Sequence, residues 1–297
     1  MRGKPLILLA LMSVLLSSCG IVRLRQSPAY QSGRVDGTGL RGRVEAVRYP
    51  CSVPGPHWRR MIVYLPEGYD TSSCRYPVMY LLHGARGYET SWIRKGNVLH
   101  LTDSLFAGGH AVPAIVVMPN MNQYNDDYDY ENGRFKDAME SLFEVDGIVE
   151  SAFCEDVVAF VDARYRTVPE GAYRAVGGLS IGAMQSAYLC ANHPGMFGYV
   201  GVFSPMWPPM GKENPRREFY RHYKEKNAAL FRQQAPVWYL MTGRADILHF
   251  ISCGWHRFLQ KQDAPHIYHV SGGGHSWANW QDYYVRMMSG IFKDSVQ

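Results

Sequence analysis

From Val44 onward, short apolar runs alternate with stretches in which apolar residues recur at helical spacing. The runs RMIVYLP, PVMYLLHG, AIVVMPN, YRAVGGLS, YVGVFSP, PVWYLMTG and HIYHVSGGG read as strands. Most are apolar throughout rather than alternating, the pattern of strands buried on both faces. Between them, FCEDVVAFVDARY, IGAMQSAYLCANH and HFISCGWHRFLQK carry the helical period. This order predicts an α/β fold in which two or three opening strands form a meander and β-α units follow. The result would be a mostly parallel central sheet covered by helices on both faces.

The first twenty residues follow a different pattern. A basic start, an apolar run from Pro5 to Leu16 and then small residues read as an export signal. That run is shorter than the roughly 20 residues needed to span a bilayer as a helix. Leu16-Ser17-Ser18-Cys19 resembles a bacterial lipobox, in which the cysteine becomes the lipid-modified first residue. The alternative is an ordinary secretory signal with an incidental cysteine. The expected organisation is a lipoprotein signal peptide over 1–18, a lipidated Cys19 with a flexible tether over 19–43, and a catalytic domain over 44–297. On this reading the protein is a cell-envelope lipoprotein, placed at the outer membrane facing the periplasm, with the membrane as a partner through its lipid.

At 46% apolar and 19% charged, 297 residues suit one domain with a sizeable core. The formal charge of +5 falls to +3 once Arg2 and Lys4 leave with the signal (5 − 2 = 3). With the basic residues scattered, no nucleic-acid partner is expected. Five cysteines follow Cys19, an odd number, so at least one is unpaired. If HWRRMIVYLP and YPVMYLLHG pair antiparallel, Cys51 and Cys74 fall at opposite ends of a strand about 20 Å long, and no bridge between them is expected. No Cys or His cluster has the spacing of a metal site. The loop 120–132 is polar enough for calcium, but it lacks ordered ligand spacing and reads as solvated surface.

The chemistry begins at Gly178-Leu179-Ser180-Ile181-Gly182. A lone G-x-S-x-G is weak evidence, but here a strand ends just before Ser180 and a helix begins just after it. That turn needs glycines on both sides, because side chains there would collide with the neighbouring strand and helix. A serine hydroxyl requires a histidine to take its proton, and the histidine requires a carboxylate to orient it. Of the eleven histidines, His275 lies just beyond a strand, at the edge where open α/β sheets place their sites. Of the carboxylates between Ser180 and His275, Asp246 follows a strand at the same edge, whereas Asp263 precedes one and falls on the other. Ser180 is therefore the expected nucleophile, His275 the base and Asp246 its orienting group, in the chain order of α/β-hydrolases.

VYLPEGYD, YPVMYLLHGARGYETSW, VDARYRT, GGLSIGA, HPGMFGYVGVFSP, GRADIL and GGGHSWANW together resemble one branch of the α/β-hydrolases. That branch contains esterase D, feruloyl and acetyl-xylan esterases, S-formylglutathione hydrolase and the mycolyltransferases. The resemblance covers roughly Arg59 to Phe292. It implies an oxyanion hole built from the backbone N–H groups of Ile181 and Ala85, and catalysis without a metal or organic cofactor.

Trp92, Met206, Trp207, Trp277 and Trp280 fall in or beside loops at the catalytic edge. They could wall a site for sugar rings or aromatic acyl groups, or simply pack the loops. The expected activity is hydrolysis of small-molecule or oligosaccharide esters, such as feruloyl or acetyl esters of carbohydrate. Two alternatives stand: an acyltransferase of mycolyltransferase type, and a noncatalytic carbohydrate-binding lipoprotein. S-formylglutathione hydrolysis is a cytosolic role and conflicts with the export signal.

Overall fold

The computed structural model describes residues 39–53, 57–122, 147–206, 222–233 and 235–293. Cys19, the signal segment and most of the tether lie outside the described residues, as do Trp207 and most of loop 120–132. Eight strands form one sheet: β1 (Arg43–Pro50), β2 (Trp58–Leu65), β3 (Val78–Leu82), β4 (Ile115–Pro119), β5 (Arg174–Leu179), β6 (Tyr199–Phe203), β7 (Val237–Gly243) and β8 (His266–Ser271). Their spatial order is β1-β2-β4-β3-β5-β6-β7-β8. The first two junctions, β1 with β2 and β2 with β4, are antiparallel. All the others are parallel.

Every residue of β3, β4 and β5 is buried, which accounts for their unbroken apolar runs. Alternate residues feed two cores. Val78, Tyr80 and Leu82 face one, Met79 and Leu81 the other. The second core is closed by α1 (Ser91–Arg94), α2 (Val98–Ala107) and, from the C-terminal end of the chain, Trp277–Met288. The first is closed by Ile148–Ser151 (α3), Ala159–Arg164 (α4), Ile181–Asn192 (α5), Tyr223–Gln233 (α6) and His249–Lys261 (α7). Trp277–Met288 is α8. Helix α5 is buried from Ile181 to Ala191, so its sequence is apolar on all sides rather than along one stripe.

The expected opening meander is corrected. HWRRMIVYLP and YPVMYLLHG do not pair, because α1 and α2 carry the chain across the sheet and β4 inserts between β2 and β3. Cys51 and Cys74 still fall at opposite edges of the sheet, because β2 runs antiparallel to β4 and β3 runs parallel to it, and both are free. All five cysteines in the described residues are free thiols. Strand β1 was not among the expected strands. It is an edge strand with only Val47 and Tyr49 buried, so charged residues break its apolar pattern.

The N-terminal entry to the domain is clasped by Asp103 of α2. Its Oδ1 accepts the amides of Arg41 at 3.1 Å and Gly42 at 2.9 Å, and the Tyr64 hydroxyl at 2.9 Å. Those bonds hold the Asp103 carboxyl below its ordinary range despite the opposing effect of burial.

Two glycines make opposite predictions. A Cβ at Gly182 would press into the His83 carbonyl oxygen and lie 2.8 Å from that of Leu82, both backbone atoms. Gly182→Ala is expected to lower the unfolding free energy in urea by about 1–3 kcal/mol. Gly254, inside α7, has nothing within 4 Å of such a Cβ. Gly254→Ala is expected to raise it by up to about 1 kcal/mol.

Candidate active site

Ser180 follows β5 and caps α5 with φ 56° and ψ −113°, a conformation that L residues rarely adopt. The surroundings over-determine it. The Ser180 amide donates to the Phe203 carbonyl at 2.9 Å, while its own carbonyl accepts the Met206 amide at 3.0 Å and the Met184 amide at 3.2 Å. Gly178 and Gly182 allow this turn to sit against the end of β3. A Cβ at Gly178 would lie 2.6 Å from the Leu82 carbonyl oxygen. The glycine requirement read from the sequence is thus a backbone contact between three segments.

Asp246 and His275 arrive at the same edge on the loops after β7 and β8. The Ala245 amide donates to the Gly273 carbonyl at 2.9 Å, and Asn279 donates to the carbonyls of Gly272 and Gly274, at 3.0 and 2.8 Å. These bonds join the two loops and fix the glycine-rich turn before His275. His275 Nδ1 donates to both Asp246 oxygens at 3.1 Å, and the Leu248 amide donates to Asp246 Oδ1 at 2.8 Å. Both side chains are buried. Burial would raise the Asp246 pKa, but the hydrogen bond and charge of His275, the Ser204 hydroxyl and the Leu248 amide outweigh it and hold the carboxyl below its ordinary range. With Nδ1 committed, Nε2 is the basic nitrogen of His275. Among the described residues, no hydrogen bond joins Ser180 to His275. Contacts of that kind often tighten only when substrate is bound.

The two candidate oxyanion donors come from different elements. Ile181 opens α5, where the first backbone N–H groups lack intrahelical acceptors. Ala85 lies in an exposed turn closed by the Gly87 amide on the Gly84 carbonyl at 3.0 Å. That turn lies against Ser180, since a Cβ at Gly84 would be 3.4 Å from the Ser180 Cβ.

Sequence reasoning missed what holds this turn in place. His83 is buried, with Nδ1 donating to the Gly84 carbonyl at 2.8 Å and Nε2 accepting the Met121 amide at 2.9 Å, which fixes the neutral tautomer. Burial is the main cause that lowers its pKa. Buried Glu89 pairs with Arg60 at 3.2 Å and accepts from Asn120 at 3.0 Å. Asn122 donates to the Gly87 carbonyl at 2.8 Å. The chain after β4 is thereby tied to the turn after β3.

The expected substrate aromatics separate. Trp92 is 1% exposed, with Nε1 donating to the Leu82 carbonyl at 2.9 Å, and Trp280 is 3% exposed. Both pack inward, in the second core. Trp277 is half-buried and meets Trp92 edge to face at 5.3 Å and Trp280 at 5.2 Å. Trp280 in turn meets the His275 ring at 4.8 Å. Met206 is partly buried beside Ser180, and its amide donates to the Ser180 carbonyl. Among the described residues, no three His, Cys, Asp or Glu side chains converge to hold a metal, and no helix is long and apolar enough to cross a membrane.

A family model described as "Putative esterase" matches residues 56–290. An endo-1,4-β-xylanase/feruloyl esterase of Xylanibacter ruminicola is 34% identical over 146 residues, covering 48% of this chain and 19% of that protein. An esterase of Mycobacterium tuberculosis is 29% identical over 209 residues, covering 67% of this chain and 41% of that protein. The chain therefore spans less than half the length of these relatives. Among solved structures, a ferulic acid esterase superposes with TM-score 0.68 at 23% identity, over 84% of this chain and 97% of its own. A ferulic acid esterase of Anaeromyces mucronatus gives 0.67 at 22%, over 90% and 96%. At these identities the superpositions establish a shared α/β-hydrolase fold.

The neutral His83 links stability to pH. Its lowered folded pKa means that below about pH 6.5 the unfolded chain binds a proton that the folded chain refuses. Stability is full above that pH and is lost as pH falls toward the folded value, by up to about 1.4 kcal/mol per pH unit. The destabilisation caused by His83→Asn, measured by urea unfolding, is expected to be smaller at pH 5.5 than at pH 8.

Proposed function

The chain belongs to the "Putative esterase" family, and from that premise we propose that it is a serine carboxylic-ester hydrolase with Ser180, His275 and Asp246 as its triad. The observation that carries this reading is the two-oxygen hydrogen bond from His275 Nδ1 to Asp246, held at the sheet edge where Ser180 occupies its strained turn. His275 Nε2 takes the Ser180 proton as the Ser180 oxygen bonds to the ester carbonyl carbon. The carbonyl oxygen becomes an oxyanion facing the Ile181 and Ala85 amides. Loss of one such donor typically costs about 2.7–4 kcal/mol of transition-state stabilisation. As the tetrahedral centre collapses, the C–O bond to the alcohol breaks and protonated His275 gives its proton to the leaving oxygen. Water then repeats the sequence, releasing the acid and restoring Ser180.

Asp246, held as a carboxylate, stabilises the imidazolium that forms in both halves. Trp277 offers a partly exposed aromatic face beside the general base, a surface that suits a sugar ring or an aromatic acyl group. The relatives described as feruloyl esterases support acylated carbohydrate as the substrate class. The lipobox-like Leu16-Ser17-Ser18-Cys19 supports attachment at the cell envelope. A transferase would share the first half-reaction and differ only in the acceptor, so product analysis with and without sugar alcohols separates the two.

Fluorophosphonate labelling and turnover of p-nitrophenyl acetate and methyl ferulate are expected for the protein from residue 20 onward. Both are expected to vanish in Ser180→Ala, and Asp246→Asn is expected to lower kcat on the order of 10^4-fold. A folded wild-type protein that neither labels nor turns over would remove the triad assignment. In cells, Cys19→Ala is expected to move the protein from the membrane fraction to the soluble fraction, and an unchanged distribution would remove the lipid anchor.

A further inference from the structure

Ser204 follows β6 with no solvent exposure and with φ 50°, a second non-glycine residue in the left-handed region beside Ser180. Such a conformation in a buried side chain persists only where the surroundings impose it, and observed strain of this kind clusters at functional sites. Here the short segment 203–206 clasps the nucleophile. The Phe203 carbonyl accepts the Ser180 amide, and the Met206 amide donates back to the Ser180 carbonyl. The Ser204 amide is anchored on the Met241 carbonyl of β7 at 2.8 Å, so the segment is also tied to the strand that delivers Asp246.

The Ser204 side chain points the same way. Its oxygen accepts Trp280 Nε1–H at 3.2 Å, and Trp280 packs its ring against the edge of His275. A hydroxyl has one proton, and with its oxygen serving the indole that proton is free for the Asp246 carboxylate, with which Ser204 interacts. One buried side chain therefore holds the indole behind the base, while its own backbone segment brackets the nucleophile.

We propose that Ser204 is a positioning residue that sets the orientation of the Asp246–His275 pair through its hydroxyl. This rests on the serine-esterase reading given above. The hydroxyl interacts with the Asp246 carboxylate that His275 Nδ1 and the Leu248 amide also hold. Through Trp280 it also fixes the surface against which the imidazole packs. Misplacing a catalytic group by about 1 Å can cost on the order of 100-fold in rate.

The test compares Ser204→Gly with Ser204→Ala in the protein from residue 20 onward. Glycine adopts φ 50° without strain, so the Gly variant removes the hydroxyl while keeping the backbone. Its melting temperature is expected to match or exceed that of the Ala variant. The expected result for both is a kcat lower by about 10- to 100-fold with KM little changed, since the ester does not touch Ser204. The low-field proton resonance of His275 Nδ1–H should also shift. A Gly variant that turns over p-nitrophenyl acetate at the wild-type kcat, with that resonance unmoved, overturns the proposal while labelled wild-type protein leaves the esterase reading standing. A wild-type protein that fails to label with fluorophosphonate overturns both.

Discussion

Backbone carbonyls of Leu82 and His83 come so close to Gly178 and Gly182 that no side chain can stand between the end of β3 and the turn at Ser180. This steric constraint organises the rest of the site. It draws α5 against the sheet, where its burial on all sides leaves it no freedom to shift. It holds Ser180 in a conformation that a looser turn would relax. It also places the turn after β3, which carries the Ala85 amide, against Ser180. Removing either glycine would disturb every group on which the proposed chemistry relies.

Fixing the turn after β3 takes polar groups, because an exposed loop with few apolar contacts would otherwise sample many conformations. His83, Glu89, Asn120, Asn122 and Arg60 serve this purpose beneath the surface. Burying a carboxylate such as Glu89 is unfavourable unless it is paired and hydrogen-bonded, and here it is both. The site thus combines one side held by backbone packing with another held by a buried polar network.

That Ser180, His275 and Asp246 share one sheet edge was legible in the sequence because each follows a strong apolar run. Position along a chain converts directly into position at a sheet edge when the strands are parallel. The antiparallel end was harder to read. Strand β1 is masked by the charged residues of an edge, and the insertion of β4 between β2 and β3 depends on a crossover that no local pattern encodes. Trp92 and Trp280 illustrate a different limit: sequence places an indole near an edge but does not say whether it faces the ligand or the core. Ser204, Glu89 and Asn120 were missed because polar residues after strands are common. Only their burial and partners distinguish them.

The antiparallel pairing that hid in the sequence also decides how the molecule can be held. Met61 of β2 lies opposite Pro119 at the site edge, so Leu65 and its partner Arg43 lie at the far edge of the sheet. The Asp103 clasp therefore receives the incoming chain on the side away from Ser180. A protein coupled to a bead or a sensor chip through its N-terminal segment would present the sheet edge that carries Ser180 outward, away from the support.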